Sequence, residues 1–124
     1  MGMISKILLL IIGVMQLLAG SWAASIVFKD TTLPIASIEM MGMLGSLFHS
    51  AIIFASLGFR AKERRIVALL LLVWHIPEAI LIATLGMGVP ESQQMVGIIT
   101  HGGFGVLALV SWYLMGAELA TDVQ

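Results

Sequence analysis

Four unbroken apolar runs, each long enough to cross a bilayer, leave this chain few ways to fold. They cover roughly 5–28, 36–59, 66–85 and 95–115, with only short connections between them. In hydrocarbon an unpaired backbone amide or carbonyl is costly, so such runs become helices that close their own hydrogen bonds. About 20 residues of helix match a core ~30 Å thick. The runs lack the period-two alternation of barrel strands. The expectation is an all-α polytopic membrane protein, a four-transmembrane-helix bundle in which residues 1–124 form a single transmembrane domain. A residue content that is 60 % hydrophobic and 10 % charged agrees, because soluble domains carry about a quarter charged residues.

Charge and cysteine usage remove several classes of function. The net charge is −1, which offers no basic surface for nucleic acid. There is no cysteine, so disulfides, thiolate metal sites, iron–sulfur clusters and thiol catalysis are excluded. The nine methionines suit adaptable helix packing and form no motif for a soft metal.

Basic residues set the expected orientation. Arg60-Ala61-Lys62-Glu63-Arg64-Arg65 holds four of the six basic residues and is read as a solvated stop-transfer turn. Lysine and arginine accumulate in cytoplasmic loops. Placing this turn inside also places Lys6 inside and leaves Lys29 alone outside, with both termini cytoplasmic. The start of the first run, with Lys6 and then Ser21-Trp22-Ala23, resembles a secretory signal and its cleavage site. Its apolar stretch is longer than a signal needs, which favours an uncleaved span. Pro34 lies in the first connection, before the second helix. Gly86 to Gln94 reads as an exterior turn. Trp112 and Tyr113 sit near the inner end of the fourth span, where amphipathic aromatics anchor. The acidic tail from Glu118 onward is read as mobile.

The remaining polar residues are few and lie within the spans. At ~1.5 Å per residue, Glu39 falls roughly 5 Å from the outer face, and Glu78 and His101 roughly 10 Å. Gln16 and His75 fall near the midplane, at roughly 15 to 18 Å, and His49 at roughly 20 Å. Ionisable groups at such depths are expensive and are functional candidates by default. The densest group is Trp74-His75-Ile76-Pro77-Glu78. His75 and Glu78 are three residues apart and share a helix face. Pro77 frees the carbonyl of Val73 and favours a kink.

Several roles fit these residues. The plainest is a brace in which His75 and Glu78 hydrogen-bond each other or a neighbouring helix. A mononuclear metal ion on His75, Glu78 and His101 satisfies the ligand chemistry of zinc or iron. A di-iron bundle needs two Glu-x-x-His pairs and further carboxylates, and only one reversed pair and Glu39 are present. Haem on two of His49, His75 and His101 would use the room beside Gly102, Gly103 and Gly105, or beside Gly42 and Gly45. The same glycines also suit close helix packing. A quinone or another lipophile could take His and Glu as hydrogen-bond partners. No serine triad, P-loop, dinucleotide fingerprint or channel-like polar stripe is present.

The layout resembles the DoxX-like group of small four-helix bacterial membrane proteins. The resemblance rests on Lys6-Ile7-Leu8-Leu9-Leu10-Ile11-Ile12-Gly13 with Leu17-Leu18-Ala19-Gly20, on Glu39-Met40-Met41-Gly42-Met43-Leu44-Gly45, and on the basic turn Arg60 to Arg65 before a leucine-rich third helix. It implies a four-helix bundle in a bacterial inner membrane, in some relatives an accessory subunit of quinone-linked oxidoreductases. His75-Ile76-Pro77-Glu78 is outside that pattern, and the resemblance carries over no catalytic residue.

The leading expectation is therefore a non-catalytic accessory subunit or binder of a quinone-like lipophile, working in a homo-oligomer or a larger membrane complex. Glu39, His49, His75, Glu78 and His101 are its candidate binding residues. The competing expectation is a haem- or metal-dependent enzyme acting on a lipophilic substrate, with His75 and His101 as ligands and Glu78 moving protons.

Overall fold

The structure is a computed structural model in which residues 2–29, 38–86 and 90–121 are described. They form four helices: α1 (Gly2–Val27), α2 (Ile38–Ser56), α3 (Ala61–Leu85) and α4 (Glu91–Thr121). No strand occurs among the described residues. Three helices are long and apolar enough to cross a membrane, over Met3–Val27, Ala61–Leu85 and Glu91–Ala120. The 19 residues of α2 extend about 28 Å, close to the hydrocarbon thickness.

Close packing at glycine sets the register of neighbouring helices. A Cβ on Gly13 would meet Ile53, and one on Gly20 would meet Leu47, so α1 and α2 run antiparallel. Along α4, Gly97, Gly105 and Gly116 face Ile82, Ile76 and Arg65 in turn, which makes α3 and α4 antiparallel as well. With no lipid-excluding drive between helices in a bilayer, this backbone proximity supplies the dispersion contact that holds them. α1 also packs on α4, while α2 touches α3 only sparsely. Leu9, Ile12, Ile53, Ala68, Leu71, Phe104, Ala108 and Met115 form the core, drawing on all four helices.

Three sequence expectations need correction. The basic stretch is not a solvated loop, because Ala61 to Arg65 already form the first turns of α3. Only Leu57 to Arg60 turn the chain, with the amides of Leu57, Gly58 and Phe59 bonded three residues back. Arg64 is buried, donates to the Phe59 carbonyl and lies 3.8 Å from Glu118, while Arg65 stacks over the Trp112 ring at 4.2 Å. The turn is thus closed by its own guanidinium groups. Second, Glu118 belongs to α4 and is held there, so the helix reaches Thr121 and the tail does not begin at Glu118. Third, α4 begins at Glu91, with the amides of Gln93 and Gln94 bonded to the Pro90 carbonyl, so Glu91 to Gln94 are helix and not turn. Pro34 and residues 87–89 lie outside the described residues.

α3 continues through Pro77 and stops at Gly86. Gly86 adopts φ 69°, a left-handed conformation cheap only for glycine, and its amide bonds the Ile82 carbonyl at 3.0 Å.

Candidate functional site

Halfway along the bundle each helix contributes a polar side chain to one cluster. Gln16 comes from α1, His49 from α2, His75 and Glu78 from α3, and His101 from α4. His75 is the hub and is 1 % exposed. Its Nε2 lies 3.1 Å from Gln16 Nε2, and its Nδ1 lies 3.1 Å from His101 Nδ1. Phe104 packs on the same ring at a centroid distance of 5.3 Å. The i,i+3 spacing brings Glu78 Oε2 within 3.7 Å of His75 Nδ1, and the same oxygen is 2.9 Å from His101 Nδ1. Glu78 and His101 stay partly open, their side chains 31 % and 26 % exposed.

Residues counted to similar depth meet one another. Gln16 and His75, both placed near the midplane, touch, and so do Glu78 and His101, both placed nearer the outer face. Gln16 was absent from the candidate set, although its depth match with His75 was the signal that could have included it. The backbone of Glu39 is in α2, but its side chain lies outside the described residues.

His49 stands to one side. Its ring is 5.5 Å from that of His75 and 5.1 Å from the Trp74 indole, edge to face. Together with Gly45, Phe48 and Trp74 it lines a half-open cavity of about 360 Å³ between α2 and α3, where the two helices touch only sparsely. The rest of the lining is aliphatic, from Ile52, Val67, Leu70, Leu71 and Val73. This volume is within the range of small-ligand pockets.

The arrangement fits some cofactors better than others. Bis-histidine haem needs two ring nitrogens about 4 Å apart across an iron, with a slot for the macrocycle between them. His75 and His101 put their Nδ1 atoms 3.1 Å apart with Glu78 Oε2 against both, so no slot exists between these rings. Gly105, one of the glycines that could have made room, is filled by Ile76. A single ion is better matched, since His75, Glu78 and His101 can bring one ligand atom each within 4.8 Å of one another.

No protein-family model matches the chain, and neither does any curated protein or solved structure. Its functional reading therefore comes from the site.

Proposed function

We propose that this is a small integral membrane protein that binds a quinone-like lipophile in the cavity between α2 and α3. One observation carries the reading: an apolar cavity of about 360 Å³ has a single imidazole, His49, in its wall, and that ring leads to His75 and the buried polar cluster. A flat, apolar molecule with a carbonyl head matches this lining, with ring contacts from Phe48 and Trp74 and a hydrogen bond from His49. In this reading the protein is a non-catalytic accessory subunit. Residues Gly42, Gly102 and Gly103 have open space where a side chain would project, a surface on which further helices could pack in a homo-oligomer or larger complex. The excess of basic residues at Lys6 and at the α2–α3 turn supports cytoplasmic termini. The DoxX-like resemblance would add a bacterial inner membrane.

Trp74 makes the binding measurable. In a Trp22→Phe, Trp112→Phe background, an alkyl-substituted benzoquinone is expected to quench Trp74 fluorescence saturably. Gly45→Leu, which projects into open space in the cavity, should abolish the saturable component. Quenching that rises linearly without saturation, or that is indifferent to Gly45→Leu, would overturn the proposal.

A further inference from the structure

The lipophile reading does not need the tight contact among His75, Glu78 and His101. Three donor atoms meet there: His75 Nδ1, His101 Nδ1 and Glu78 Oε2, with edges of 3.1, 2.9 and 3.7 Å. Each can present a lone pair to a common centre when both rings carry their proton on Nε2. Glu78 Oε2 is sealed from solvent, with the two ring nitrogens at 2.9 and 3.7 Å as its near neighbours.

We infer that His75, Glu78 and His101 form a binding site for one first-row divalent metal ion, zinc or ferrous iron. The triangle has the size such an ion requires. Edges of 2.9, 3.1 and 3.7 Å place the point equidistant from all three atoms roughly 1.9 Å from each, and an ion about 0.8 Å out of that plane sits 2.0–2.1 Å from every donor. That distance is the usual metal–nitrogen and metal–carboxylate bond length. Two imidazoles and one carboxylate from protein, with further positions open, is a donor set that zinc and ferrous iron both accept.

Gln16 completes the site from α1. A histidine that binds through Nδ1 keeps its proton on Nε2, and the outer partner of that N–H fixes the ring. His75 Nε2 is 3.1 Å from the Gln16 amide, which accepts this proton when its carbonyl oxygen faces the ring. His49 lies outside the three-residue group and is not a ligand in this assignment. The inference stands whether or not a lipophile binds between α2 and α3.

The test uses the purified full chain in detergent, stripped by a chelator and titrated with cobalt(II) as a spectroscopic stand-in for zinc or iron. One cobalt per chain is expected, with ligand-field bands in the visible that zinc removes on competition. His101→Ala and Glu78→Gln change partly exposed positions, so both variants should keep the helical circular dichroism of the parent. Each should weaken cobalt binding by about 100-fold or more, beyond the loss typical of an outer partner. A wild-type chain that takes up no stoichiometric cobalt would overturn the inference and leave a proton-sharing brace. Equal cobalt binding by wild type and both folded variants would overturn it too, by placing the ion elsewhere.

Discussion

Among the described residues, two polar clusters tie helices of this bundle together, and they differ in composition. At the α2–α3 turn, cations meet acceptors: Arg64 bonds the Phe59 carbonyl and faces Glu118, and Arg65 covers the Trp112 ring. In mid-bundle, two imidazole nitrogens, each a donor or an acceptor according to its tautomer, meet a carboxylate oxygen inside 3.7 Å. In the first cluster the two guanidinium groups have their complements in a carbonyl, a carboxylate and an aromatic ring. The second is complete only when something positive joins it, whether a proton on one edge or a metal ion on all three. Burial alone does not separate structural from functional polar groups, because Arg64 and His75 are both almost fully enclosed. The sign of the neighbours does.

The sharpest contrast is between the two glutamates. Glu78→Gln should weaken divalent metal binding by about 100-fold or more, whereas Glu118→Gln should leave it unchanged, as read by cobalt titration. Equal effects would erase the distinction between the clusters. Next in size is Gln16→Leu, which removes the outer partner of His75 and keeps its volume. A loss of about 10- to 100-fold in metal affinity is expected, with the cobalt bands shifted as His75 is freed to rotate.

Arg64→Met tests the turn. Losing the bond to Phe59 and the pair with Glu118 should lower stability by about 1–3 kcal/mol in denaturant unfolding, with metal affinity unaltered. The smallest effect belongs to Trp112→Leu, which keeps apolar bulk and removes the ring beneath Arg65. A loss of about 0.5–1 kcal/mol is expected in the same unfolding assay.

Part of the site was legible before any coordinates. His75 and Glu78 had to share a face of α3 because helical spacing is local geometry, and Gln16 matches His75 in depth because rise per residue is constant. The fate of the basic stretch was not legible. Arg60 to Arg65 reads identically whether solvated or folded back, and only the nearness of Glu118 and Trp112, more than 45 residues away, decides it. The cavity beside His49 was equally hidden. It depends on α2 and α3 touching only sparsely, a relation between helices that no single helix encodes.

The amino-acid order by itself determined the class of object, since hydrocarbon tolerates only self-bonded backbone and four apolar runs then become helices. It also determined which side chains sit at the same depth. Tertiary structure alone decided that Gln16, Glu78 and His101 gather around His75, and that three donor atoms close to ion-binding distance. The reason is physical: depth follows from a fixed rise along each helix, whereas azimuth and rotamer follow from packing against neighbours, and glycines such as Gly13 and Gly105 set those contacts.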